Sequence, residues 1–303
     1  MPPSNGAFAA ITIDPASSGA TSVVRFDTLG FPRMTSRLTN PVSDPLDLGF
    51  EFFAVGVAIF SFVPLNGAVQ IDGGSRVSAN IVFLGRDPGT DGSVDIRNSG
   101  SLLRGNNAIS VGNTGRGVLG VGSGAEVTAP LFVVGDAPSG EGFVFFDGGS
   151  AYTGIDTIDN PSETVGGGEG LGRVDVINQS TVTTGLLQVG VSTGSDGRVA
   201  LSDANSRVFA NSLVVGSSGL GVLEARNGAQ TLSNTTRPDI VLGENAGSRG
   251  ELNINAGSSS LTTGADTGEA VLRLASGATG VATVGGAGAA WAVSENLVIG
   301  ISL

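Results

Sequence analysis

The sequence predicts an all-β chain: a right-handed parallel β-solenoid of about nine rungs of roughly 25 residues each, preceded by an N-terminal cap. Three observations carry that expectation. A glycine-led phrase recurs at near-constant spacing, each copy alternates with the period of a strand, and most copies end in a cluster of Asn, Asp, Ser and Gly.

The phrase reads glycine, any residue, aliphatic, any residue, apolar. Its copies are Gly67-Val69-Ile71, Gly92-Val94-Ile96, Gly117-Leu119-Val121, Gly142-Val144-Phe146, Gly172-Val174-Val176, Gly197-Val199-Leu201, Gly221-Leu223-Ala225, Gly250-Leu252-Ile254 and Gly280-Ala282-Val284. Successive glycines lie 25, 25, 25, 30, 25, 24, 29 and 30 residues apart, inside the window of stacked repeat arrays. Period-two alternation puts Val199 and Leu201 on one face and Ala200 on the other, where it is expected to meet water.

Corners follow at Asp72, Asn98, Asp147, Asn178, Asn227 and Asn255, built from residues that reach left-handed backbone angles at little cost. A third strand is marked by Val77, Leu102, Val127, Tyr152, Val182, Val208, Leu232, Leu261 and Trp291. The circuit closes on an apolar-glycine strand, as at Leu84-Gly85, Val111-Gly112, Val134-Gly135, Val165-Gly166, Val189-Gly190, Val215-Gly216 and Leu242-Gly243. Three short strands and three corners make one rung, and right-handed coiling follows from the crossover rule.

Composition narrows the function classes. The 50 glycines suit a chain that turns often, while 40% hydrophobic residues leave ample core material. There are 27 acids against 15 bases, no Lys among them, for a net charge of -12, and no basic run fits a nucleic-acid partner. Zero Cys and zero His remove thiolate catalysis and the commonest metal ligands, so neither a metal nor another cofactor is expected.

Residues 1–66 carry no clear copy of the phrase and hold 7 of the 12 prolines, which marks them as a separate cap or irregular β segment. Short strands are expected near Phe8–Ile13 and Ser22–Phe26. The apolar run Phe52–Val63 is twelve residues, short of the roughly twenty that a membrane-spanning helix needs, and reads as buried strand. The N-terminus shows no basic region followed by an apolar core. At the other end, Ile299-Gly300 would open a further rung just before Leu303, which predicts a truncated or continued solenoid, or end-to-end self-association.

The segments LVVGSSGLGVLEARNGAQ at Leu213–Gln230 and ISVGNTGRGVLGVGSGAEV at Ile109–Val127 carry the repeat most clearly. They resemble the passenger-domain repeats of bacterial autotransporters and related secreted β-helix adhesins, and the resemblance covers about Gly67 to Leu303. It implies a β-helix scaffold, exposed extracellularly or on a bacterial surface. Such passengers range from adhesins to enzymes on one scaffold, so activity must be argued from sites.

Two kinds of site merit weighing. Outward acids Asp95, Asp175 and Glu224 fall on the second, fifth and seventh copies, and the closest pair would stand about 9.6 Å apart from rung spacing alone, which disfavours a catalytic dyad. The loops Asp87–Ser93 and Gly166–Gly172 have acids and glycines, but without EF-hand or dinucleotide spacing they read as rung corners. Insertions are more informative. All three long periods grow between the third strand and the apolar-glycine strand, nominating Asp156, Asp159, Glu163, Arg237, Asp239, Asp266 and Glu269 as binding residues on one edge. The expected function is a non-enzymatic, extracellular or surface-exposed structural or adhesive module contacting a glycan or protein surface. The alternative is a carbohydrate-active β-helix of the depolymerase or lyase kind.

Overall fold

The computed structural model describes residues 67–154, 163–233 and 239–255 without interruption, together with segments 8–14, 23–29, 35–38, 46–47, 52–55, 57–59, 63–65, 260–263, 270–273, 279–287, 289–293 and 297–301. Among these, every regular element is a strand, and parallel strands stack as a β-solenoid of about seven turns.

One sheet of ten strands gathers all the glycine-led segments in chain order, from Gly67–Ile71 to Thr279–Val284. Their glycines lie in register, Gly92 against Gly67 and Gly117, and Gly250 against Gly221 and Gly280. The repeat phrase is thus a physical row of the sheet. A second, sixteen-stranded sheet contains both remaining segments of each rung. Where the sequence suggests two strands there, four rungs run through as one: Arg76–Leu84, Leu102–Val111, Thr181–Val189 and Arg207–Val215. A register shift between Gly105 and Ala108 marks the bend that separates the two halves.

Parallel pairing also crosses residue 66. Thr35–Leu38 lies against Ala68 to Ile71, and Leu46–Asp47 and Phe52–Val55 lie against Arg76–Leu84. Phe8–Asp14 pairs antiparallel with Val23–Leu29, as does Val57–Ile59 with Val63–Leu65. The run from Phe52 therefore forms short strands.

Inside, equivalent side chains of successive rungs touch along the axis. One ladder runs Val69, Val94, Leu119, Val144, Val174, Val199, Leu223 and Leu252, and its neighbour runs Ile71, Ile96, Val121, Phe146, Val176, Leu201, Ala225 and Ile254, all buried. Each large aliphatic contributes about 1.5–3 kcal/mol by burial. Phe132, Phe146 and Tyr152 form an aromatic cluster in this core, the Phe132 and Tyr152 rings stacked with centroids 4.9 Å apart. Tyr152 can be buried because its hydroxyl donates to the Ala129 carbonyl at 2.9 Å.

The register moves three sequence assignments by one residue. In the third-strand ladder Leu103, not Leu102, aligns with Val77 and Val127. Thr231, not Leu232, aligns with Val208 and Leu261. Both follow from the corner. The buried small residue there, Ser75, Ser101, Ser150, Ser180 or Ser206 and its replacements Ala125 and Ala229, always stands two positions before the inward side chain. Third, Gly166 takes the apolar position opposite Val134 and Val189, so the glycine corner of that rung is Gly167.

Backbone geometry explains the glycines at the apolar-glycine corner. Gly85, Gly112, Gly135, Gly167, Gly190, Gly216 and Gly243 all have positive φ, between 64° and 76°. At Gly85, Gly112, Gly135, Gly167, Gly190 and Gly216 a Cβ would also fall within 3.0 Å of the backbone of the glycine-led strand of the next rung. Conformation and space both require Gly there. The corners between glycine-led and third strands use Asn, Asp, Gln, Ser and Gly at positive φ, as at Asn98, Asn178, Gln179 and Asn227.

The corner from the positive-φ glycine to the next leading glycine alternates in length. It spans seven positions from Gly85, five from Gly112, seven from Gly135, five from Gly167, seven from Gly190, five from Gly216 and seven from Gly243. Each long corner contains an extra hydrogen-bonded turn, Thr90 N–H to Asp87 O, Gly140 to Ala137, Ser195 to Ser192 and Ser248 to Asn245. Thr90, Ser195 and Ser248 reinforce it by donating their hydroxyls to the same carbonyls at 2.7, 2.7 and 2.6 Å. Each short corner places a glycine, Gly115, Gly170 or Gly219, directly on the long turn of the preceding rung, where a Cβ would meet backbone carbonyls within 3.0 Å.

Two substitutions test this account. Gly190→Ala combines positive φ with a backbone collision and should cost about 3 kcal/mol or more, whereas Gly194→Ala, also at positive φ but with nothing within 4 Å, should cost about 1–2 kcal/mol. Urea midpoints measured on both should differ in that order, and equal shifts would contradict the close approach. Tyr152→Phe should cost about 1 kcal/mol through the lost bond to Ala129, read as a lowered melting temperature.

Candidate functional site

The outer face of the ten-stranded sheet is set by the same alternation that builds the core. Its central row, in pairing order, is Gln70, Asp95, Gly120, Phe145, Asp175, Ala200, Glu224, Asn253 and Thr283. The row one step toward the leading glycines carries Val118, Phe143, Arg173, Arg198, Val222 and Glu251 at its centre. Neighbours along either row sit about 4.8 Å apart.

Phe145 projects from this face and is 41% exposed, one of two large hydrophobics so exposed among the described residues. Beside it Gly120 has no side chain, and a Cβ placed there would reach only the Asp95 carboxylate, at 3.4 Å. Phe143, two residues earlier on the same strand, is covered differently: the Arg116 guanidinium lies 5.2 Å from its ring centre.

On the other side of Phe145 stands Asp175, half-buried and without a hydrogen bond to any described residue. Loss of solvent pushes its carboxyl above the ordinary range, a shift opposed but not cancelled by the charges of Arg198, Arg226 and Arg173. Those three arginines come from three successive strands, which is why their convergence is invisible in a linear reading. Next in the row, Ala200 is only 3% exposed although it lies on the outer face. This corrects the expectation that it meets water: the methyl group between Asp175 and Glu224 is covered by its neighbours. Beyond it Glu224 is fixed, since it accepts from Arg198 at 2.6 Å and from the Asn255 amide at 3.2 Å.

The other sequence candidates distribute as follows. Asp95 forms an ion pair with Arg97 at 2.6 Å on an exposed surface, worth at most about 1 kcal/mol. The loop at Asp87 is the first of the long turns, with Gly89 at φ 75°. Glu163 opens the strand Glu163–Gly166, opposite Leu131 and Leu186, and Asp239 opens Asp239–Leu242, opposite Val271. Both therefore flank the bend of the sixteen-stranded sheet. Asp156, Asp159, Arg237, Asp266 and Glu269 lie outside the described residues. Among the described residues no three acids cluster closely enough to hold a metal ion, and no helix is long and apolar enough to cross a membrane.

What sequence reasoning missed is the grouping of Phe145, Asp175 and Ala200. The signal was present in part: Gly142 to Phe146 reads GFVFF, and the period-two rule already places Phe145 outward. No family model matches the chain, and neither a curated protein nor a solved structure is similar to it.

The raised Asp175 carboxyl has a consequence for stability. Its folded pKa exceeds that of the unfolded chain, so in the interval between them the native state holds more protons, and the stability this adds at low pH is lost as pH rises through the folded value. Asp175→Asn should therefore raise the urea midpoint at pH 7, and the gain over the parent should close on acidification toward about pH 3. A gap independent of pH would show that burial does not govern this carboxyl.

Proposed function

We propose that the chain is a non-enzymatic structural or adhesive module, exposed extracellularly or on a cell surface, with its stacked strands serving as a stiff display scaffold. The observation that carries this reading is the continuity of the stack. Ladders of apolar side chains run from Val69 to Ile254 with no rung left out among the described residues, and every adjacent strand pair adds backbone hydrogen bonds. Nine glycine-led strands at about 4.8 Å spacing make a rod core of roughly 40 Å. The likeness of the repeat phrase to autotransporter passengers supports display outside the cell.

A second reading, a carbohydrate-active β-helix, has one observation in its favour. Asp175 has the raised carboxyl expected of a general acid, and Glu224 stands two strands further along the same row. Against it, Glu224 is already engaged by Arg198 and Asn255, and the row spacing of about 9.6 Å is at the edge of what an inverting pair uses.

Beads coated with the whole chain, washed under flow over immobilised polysaccharides and matrix proteins, separate the readings. Retention without new reducing ends in the eluate is expected. Sugar release abolished by Asp175→Asn or Glu224→Gln would overturn the non-enzymatic reading.

A further inference from the structure

We infer that the outer face around Phe145, Asp175 and Ala200 is a binding site for an uncharged oligosaccharide, one sugar ring lying on Phe145 and its hydroxyls donating to the Asp175 carboxylate. This deepens the adhesive reading by naming its ligand class, and rests on that reading only for its biological setting.

The site is built from two features that are independent of each other. Phe145 is an exposed ring on a rigid sheet, with the side-chain-free position of Gly120 beside it, so a flat, partly apolar ligand can lie on it. Phe143, on the same strand, already carries the Arg116 guanidinium, whereas no described ring or cation stacks on Phe145. Asp175 supplies an acceptor that the fold leaves without a hydrogen bond. A half-buried carboxylate without a donor is costly to keep, and hydroxyl donors on a ligand would satisfy it.

Charge selects the class. Around Asp175 lie the charges of Arg173, Arg198 and Arg226, and Arg198 is paired with Glu224, so both signs of charge meet on this face. A polyanion would be repelled by Asp175, and a cationic peptide by the arginines that surround it. A neutral polyol meets neither penalty and can use both kinds of group, since the Arg173 and Arg226 guanidiniums are donors and Asp175 is an acceptor. The row also runs along the rod axis, so a chain of sugars can extend from Phe145 to Asp175 on the next strand.

The test uses the whole chain and a defined set of probes: hexasaccharides of β-1,4-glucose, α-1,4-glucose, β-1,4-xylose and β-1,4-N-acetylglucosamine, with oligogalacturonate and a heparin hexasaccharide as anionic comparisons. Saturation-transfer NMR identifies binders and calorimetry gives their affinities. At least one neutral probe should bind, Phe145→Ala should weaken it tenfold or more, Asp175→Asn several-fold, and Gln70→Ala, on the same face four strands from Asp175, not at all. Circular dichroism must show the parent spectrum for each variant, and Phe145 is exposed enough for its removal to leave the core intact. Binding by none of the neutral probes, binding only to the anionic ones, or neutral binding indifferent to both Phe145→Ala and Asp175→Asn would overturn the site. Reducing ends are assayed in the same samples. Cleavage of a bound probe would refute the non-enzymatic reading while leaving the site standing, so the two proposals fail separately.

Discussion

The structure depends on a close approach of backbone to backbone at one corner of every rung. Where the apolar strand ends, the chain must swing into the next glycine-led strand while the rung above sits about 4.8 Å away. At Gly112 this is done with a left-handed residue whose missing Cβ leaves room for Glu141 and Gly142 of the next rung. Gly117, which opens the following strand, in turn lies against the Gly112 amide and the Leu84 carbonyl. The two glycines lock one rung to the next, and the same arrangement recurs at Gly135 with Gly142, Gly167 with Gly172 and Gly216 with Gly221. Any larger residue would force successive rungs apart at that edge and tilt the whole ladder.

The interior and the second corner follow from this spacing. Once rungs are held at sheet distance, inward aliphatics meet their equivalents above and below, and the stack gains its stability chiefly from such nearest-neighbour burial. Polar groups that the corner brings inside are paired along the same axis. The Ser101 and Ser206 hydroxyls accept from the Gly74 and Gln179 amides of the preceding rung, and Ser150 and Ser180 bond to each other at 3.1 Å. Thr231 is a departure, since its inward hydroxyl oxygen is buried without a partner. It replaces an aliphatic in the third-strand ladder, immediately before Leu232 on the same strand.

These exceptions show what the sequence made legible. The glycine-led strands were readable because two signals coincide there, a residue that only one backbone geometry demands and a strict period of two. The third strand has only apolar content to mark it, and where two apolar or near-apolar residues adjoin, as at Leu102-Leu103 and Thr231-Leu232, the linear pattern does not say which is inward. The corner does, through the buried Ser or Ala two places earlier. The outer face was half legible. Alternation pointed Phe145, Asp175, Ala200 and Glu224 outward, but the burial of Ala200 and the environment of Asp175 arise from long side chains on separate rungs, some 25 residues apart in the chain. Residues that converge only through stacking leave no local mark.

The alternation of seven- and five-position corners bears on how such a chain could have grown. A long turn is followed on the next rung by a short corner with Gly115, Gly170 or Gly219 seated on its carbonyls, so the unit that tiles without conflict is two rungs, not one. Duplication or loss of a single 25-residue segment would bring like corners face to face and remove that seat. Lengthening by pairs, in steps of about 50 residues, keeps it, so the unit that tiles this stack is twice the size of the one its glycines advertise.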